Sequence, residues 1–198
     1  VSLGASFYVR PVLQVARDLV GCVLEYDGCA GVIVETEAYH QSEPACHAYV
    51  GRTARTSVLF GGPGTTYVYR SYGIHALLNA VCEPADVGAA VLIRALEPIE
   101  GLERMHARRG VAREVDLANG PGKLTQALGV DLDLNATNLM DGPILIHPRQ
   151  EGRRDPRLVA GPRIGITKAA DLPWRFCLAG SRYVSRPWPP GLRESPAA

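Results

Sequence analysis

Residues Cys22 to Tyr39 read CVLEYDGCAGVIVETEAY, two β-prone runs on either side of Asp27-Gly28. Asp-Gly is among the strongest short hairpin signals, because a two-residue turn needs positive φ at its centre. The second run, Val32 to Tyr39, is rich in Val, Ile, Thr and Tyr and holds no Gly or Pro, so it reads as a strand. Strand alternation puts Ile33, Glu35, Glu37 and Tyr39 on one face and Val32, Val34, Thr36 and Ala38 on the other. Two carboxylates and a phenol on one face leave three readings open: an acid/base pair, a metal site or a solvated strand end.

The remaining elements follow from local pattern. RPVLQVARDLVG predicts a helix with Pro11 at its start, Val12, Val15, Ala16 and Leu19 on one face, and Gly21 as terminator. Residues 40–66 are loop-rich, and YVYRSYGIHALLNAVC predicts two strands around Ser71 to Gly73. AAVLIRALEP predicts another strand, followed by helices over Pro98 to Arg109 and Lys123 to Leu128. GPILIH and WRFCLAG read as further strands. Hairpins interleaved with helices, without repeat or linker, predict a single α+β domain over residues 1–185 with a mainly antiparallel sheet. Residues 186–198 are Pro-rich and read as a disordered tail.

Neither a membrane span nor the three regions of a signal peptide is legible, so a cytoplasmic protein is expected. The five cysteines are odd in number and have no CxxC spacing, which favours reduced thiols. Net charge is +1, but from Pro44 to Cys82 there is no Asp or Glu, while Arg52, Arg55, Arg70, His47 and His75 lie there. That stretch is locally basic.

Metal chemistry is poorly supported. HQSEPACH resembles the zinc deaminase signature only superficially: His40 and Glu43 are one residue too far apart, and Cys46 has no partner until Cys82. A thiol nucleophile at Cys46 lacks a base, since His47 is a sequence neighbour that points elsewhere in an extended chain. GPGKLTQAL is too short for a Walker loop but sets Lys123 at a helix N-terminus, where a phosphate is favoured. In YVYRSYG, Tyr67 and Tyr69 share a face, and Tyr72 stands at the turn beside Arg70. Tyrosines on a hairpin fit an apolar core at Tyr67 but not at an exposed tip, where a ring can stack on or wedge between bases.

VETEAY, the later His47, YVYRSYGIHALLN, VLIRALEP, GPGKLTQALG and GPRIGIT occur here in the order found in the alkyladenine (3-methyladenine) DNA glycosylase family. The chain resembles that family from about Phe7 to Ser185. The resemblance implies a curved sheet with a hairpin that enters the minor groove of double-stranded DNA holding a damaged purine. It implies a monofunctional enzyme, a monomer needing no cofactor and no metal. It implies Glu37 as general base, Arg94 as a holder of the attacking water, and Tyr72 as the wedge. Tyr39, His47, Tyr69, Asn79 and Ile164 would form the base pocket, Ile164 through its backbone carbonyl. Arg52, Arg55, Arg70, His75 and Lys123 are assigned to the DNA backbone on charge, and Glu35 to a structural role, paired with an arginine. A non-catalytic binder of distorted DNA is the alternative.

Overall fold

In a computed structural model, which describes residues 1–149 and 155–193, Asp27 and Gly28 both take positive φ, 47° and 66°. They turn β1 (Val23–Tyr26) back onto β2 (Cys29–His40), as a two-residue hairpin requires. β3 (Thr66–Ser71) and β4 (His75–Val81) form the second hairpin, and β5 (Ala89–Glu100) joins it to β2. The order is β3-β4-β5-β2-β1-β6, with β6 being Leu145–His147. Beyond the reach of β1, the same edge of β2 pairs with β8 (Arg175–Leu178), which carries β7 (Leu158–Gly161). Every pairing is antiparallel, and the sheet curls within one α+β domain.

Where the two edge partners of β2 meet, the strand is irregular. Ile33 pairs with Leu96 and Glu35 with Ala95, so Val34 is an extra residue; Thr36 then pairs with Ile93, which leaves Arg94 extra on β5. A bulge of this kind re-aims side chains and resets the alternation. The face expected from strict alternation is therefore corrected. Ile33 joins the main core with Ala38, whereas Val34 packs with Ala95 and Cys177. Glu35, Glu37 and Tyr39 still share the other face.

The main core lies on the face of Val68, Leu78, Val91 and Ile93 and is covered by α2 (Val12–Leu19) and α4 (Pro121–Leu128). The four apolar residues expected on one side of α2 are all buried there, each such side chain worth about 1.5–3 kcal/mol for the larger ones. Glu83 accepts from the Val12 N–H at 2.8 Å, an acidic partner for the helix N-terminus. Thr36, on the same face of β2, donates to the Ala16 carbonyl at 2.7 Å.

The helix expected from Pro98 starts later. β5 continues to Glu100, and α3 covers Leu102–Arg109 after Gly101 in the left-handed region. Pro98 sits beside a register shift in the β2–β5 ladder, where its missing N–H is tolerated. β7 and a short α1 (Ala5–Tyr8) were not legible from pattern. The start of the tail is also corrected. Leu192 is buried with Tyr183 and Val184, Gly180 donates its N–H to the Leu192 carbonyl at 2.7 Å, and Pro187 accepts from Arg175 at 2.9 Å. An aromatic, a leucine and carbonyls facing a buried arginine outweigh the disorder signal of proline. Residues 194–198 lie outside the described residues.

Candidate active site

The face of the sheet opposite the main core forms the floor of a cavity of about 570 Å³, within the range of small-molecule sites. Alternate strand residues build it: Tyr39 from β2, Tyr67 and Tyr69 from β3, Leu77 and Asn79 from β4, and Ala90, Leu92 and Arg94 from β5. The 3₁₀ turn His47–Val50 supplies His47, the N-terminal end of α4 supplies Lys123, and a loop supplies Ile164. Arg55, Arg70, Arg94, Arg109 and Lys123 all line the cavity, and among the described residues no Asp or Glu does. A chain of net charge +1 thus concentrates positive charge around one hollow.

Glu37 lies just behind this lining. It is fully buried, accepts from the Ile164 N–H at 2.7 Å and from the Tyr39 hydroxyl at 2.8 Å, and stands 3.3 Å from Arg94. The contact shown by Ile164 is thus its N–H. Glu35 is engaged differently. Arg94 Nε (2.9 Å), Arg175 Nε (2.7 Å), Ser185 Oγ (2.8 Å) and the Ser185 N–H (2.7 Å) all donate to it. Two glutamates and two arginines therefore bury together without net charge, the condition under which buried ions persist. Burial works against the charge of Arg94, yet Glu37 and Glu35 outweigh it and push its pKa up.

His47 stands edge-on to Tyr67 and Tyr69, whose rings stack on each other 5.3 Å apart. His47 meets Tyr69 with ring centroids 4.7 Å apart at 72°, and its Nδ1 is 3.1 Å from the Tyr67 hydroxyl. Burial, then the Arg55 charge, hold the His47 pKa below its ordinary value. Burial pushes Tyr69 up to about 12 and raises Tyr39 well beyond its usual range, with Glu37 adding to the latter. Both phenols stay protonated, and Tyr39 can donate to a carboxylate. Asn79 spends its amide N–H on the Tyr67 carbonyl at 3.0 Å, directly across the hairpin.

At the hairpin tip Tyr72 is 89% exposed with φ of 50°, and Ile74 beside it is exposed too. The tip end of the hairpin rests on α4: a Cβ at Gly122 would stand 2.8 Å from the ring of His75, which pairs with Ser71 next to the turn, so only glycine allows that approach. Arg70 is 3.6 Å from Asp131. Of the residues assigned to phosphates, Arg55, Arg70, His75 and Lys123 line the cavity. Arg52 does not; it is paired with Asp86 and lies over the Phe60 ring.

Some residues of the site were passed over by sequence reasoning. Arg109 lines the cavity, and Ser185 and Arg175 complete the support of Glu35. Glu43, considered from sequence only as part of an incomplete zinc signature, forms a buried two-point pair with Arg163, whose guanidinium lies over the Tyr39 ring. The signal for Arg163 was its place beside Ile164 in GPRIGIT. Cys46 lines the cavity, but burial pushes its thiol up to about 11, which leaves no thiolate for nucleophilic attack at neutral pH. Among the described residues no three His, Cys, Asp or Glu side chains gather to hold a metal ion, and no helix is long and apolar enough to cross a membrane.

The family model of methylpurine-DNA glycosylases matches residues 6–182. The chain belongs to that family. A protein of Rhodopseudomonas palustris strain BisB18, provisionally named a 3-methyladenine DNA glycosylase, is 54% identical over 94% of this chain and 92% of its own length. One of Methanoculleus marisnigri, provisionally named likewise, is 52% identical over 94% of this chain and all of its own. A third, from Bradyrhizobium diazoefficiens and again so named, is 51% identical over 94% and 92% of the two chains.

Proposed function

We propose that the chain is a monofunctional DNA glycosylase that extrudes damaged purines from duplex DNA and hydrolyses their N-glycosidic bond, starting base excision repair. Substrates are alkylated or deaminated purines of the 3-methyladenine, 7-methylguanine, hypoxanthine and ethenoadenine class. The protein acts as a monomer from the minor groove. One observation carries the reading: Glu37 is held by Ile164, Tyr39 and Arg94 just behind the wall of a cavity that Tyr39, His47, Tyr67 and Tyr69 line together with cationic side chains.

Extrusion costs a few kcal/mol, least for damaged bases. The Tyr72 ring enters the vacated stack, and the extruded purine lies against Tyr39 with His47 and Tyr69 opposite, each stacking contact worth about 1–3 kcal/mol. Arg55, Arg70, His75 and Lys123 pair with phosphates. Asn79 stands at the purine edge and clashes with the 2-amino group of normal guanine. As the glycosidic bond breaks, its electron pair leaves with the base and positive charge grows on C1′. Glu37 takes a proton from water whose oxygen bonds to C1′, while Arg94 and the Ile164 backbone hold that water. An alkylated purine leaves as a cation made neutral by the electron pair; a neutral lesion must first gain a proton at N7.

The test is single-turnover base release from duplexes holding 7-methylguanine, hypoxanthine or ethenoadenine, with the wild type and Glu37→Gln. Release by the wild type and its loss in the variant support the reading. No release of any lesion by the wild type would make a non-catalytic binder of distorted DNA the better one. Borohydride should trap no covalent adduct, since a lyase needs an amine nucleophile at C1′; a trapped adduct would overturn the monofunctional assignment.

A further inference from the structure

Tyr39 has two faces in different surroundings. One side of the residue lines the cavity. Against its ring lies the buried guanidinium of Arg163, which is absent from the lining; its Cζ is 4.6 Å from the Tyr39 centroid and 5.3 Å from that of Trp174. Glu43 accepts two bonds from the guanidinium, at 2.6 and 3.0 Å, and the Ala38 and Ala169 carbonyls one each, at 2.9 and 3.3 Å. Its Nε–H is buried with no hydrogen-bond partner among the described residues. The group thus packs against two rings with one donor unsatisfied, a position that hydrogen bonding alone does not explain.

An aromatic face attracts cations because its quadrupole is negative there. A cation fixed on the hidden face draws that density toward itself and repels a second cation on the open face. We propose that Arg163 is a specificity-determining residue acting through Tyr39: its charge weakens the hold of that ring on cationic purines relative to neutral ones. The inference rests on the glycosylase reading and assigns to this site a bias toward neutral lesions in the binding step. Glu43 offsets part of the charge and so sets the strength of the bias.

The test uses a Glu37→Gln parent, so that bound bases are not released, and compares Kd for duplexes holding hypoxanthine, which is neutral, and 7-methylguanine at mildly acidic pH, where it is cationic. Replacing Arg163→Gln together with Glu43→Gln keeps a planar group behind the ring and removes the charge. It should improve 7-methylguanine binding relative to hypoxanthine by about three- to tenfold, the scale of one cation–π contact. Arg163→Lys keeps the charge and should leave the ratio near that of the parent. Glu43→Gln alone exposes the charge and should move the ratio the other way, which tests the idea even if the neutral pair does not fold. Equal loss on both duplexes, or the same ratio change in Arg163→Lys as in the neutral pair, would overturn the proposal. A parent that prefers neither lesion over undamaged duplex would instead defeat the glycosylase reading.

Discussion

Arg94 donates its Nε–H to Glu35 at 2.9 Å, while its Nη1 stands 3.3 Å from Glu37. The arginine is thus anchored on one carboxylate and turned toward the other. Glu35 is saturated by Arg94, Arg175 and Ser185, and it has the features of an anchor. Among the described residues Glu37 has, beside Arg94, the Ile164 N–H and the Tyr39 hydroxyl, both from residues that line the cavity.

The two glutamates should therefore fail differently. Glu35→Gln leaves Arg175 and Arg94 short of a buried counter-charge and should cost about 3–5 kcal/mol of stability. Glu37→Gln keeps Arg94 anchored and should lose less, while base release falls about 10²- to 10⁴-fold. Urea denaturation of both variants beside single-turnover kinetics separates the two outcomes. A larger stability loss in Glu37→Gln would reverse the assigned roles.

Tyr72 carries a left-handed backbone and a ring that is almost fully exposed, a combination that costs folded-state stability. Tyr72→Gly should raise stability by about 1 kcal/mol, since glycine accepts positive φ freely. The same change should weaken binding of lesion-containing duplex by about 1–3 kcal/mol through the lost stack. Melting temperature and fluorescence-anisotropy titration of one variant check both halves.

His47 gives a pH dependence with a definite sign. Its folded pKa lies below the ordinary 6.5, so the unfolded chain binds the proton more readily. Stability should fall as pH drops through about 6.5 and level off once the folded histidine also protonates. His47→Gln removes this component, so its urea midpoint should change less than that of the wild type between about pH 7.5 and about pH 5.5. Equal changes in both proteins would show that His47 does not titrate in this way.

Truncation after Ser185 removes a buried Leu192, the Trp188 N–H donated to the Val184 carbonyl, and the Pro187 carbonyl that accepts from Arg175. The loss should be about 3–5 kcal/mol, from one buried side chain and an arginine left short of an acceptor. A fall in melting temperature of about 5–15 °C is expected. A melting temperature equal to that of the full chain would mean the segment adds nothing.

Local chemistry made much of this readable before any contact was known. Asp27-Gly28 admits one kind of turn, α2 has one apolar face, and Tyr72 beside Gly73 has no core to enter. Glu37 emerged ahead of Glu35 only through family resemblance, because alternation puts the two on one face and treats them alike. What separates them is tertiary: Arg175 and Ser185, distant in sequence, converge on Glu35, and Ile164 reaches Glu37 across the fold. The opposed bulges at Val34 and Arg94 were likewise invisible to a strict two-residue period, which assumes a regular partner strand. Proline content misjudged residues 186–193 for a related reason, since burial of Leu192 depends on a surface that the segment does not itself contain. The sequence by itself determined the hairpins, most strands and the residue types of the site, because those follow from short-range sterics and side-chain chemistry. Only the tertiary structure decided which carboxylate is anchored and which stands by the cavity, and that a cation lies behind Tyr39. Arg175 for Glu35, the Ile164 N–H for Glu37 and Arg163 for Glu43 come from segments more than a hundred residues away, and their distances decide which interaction wins.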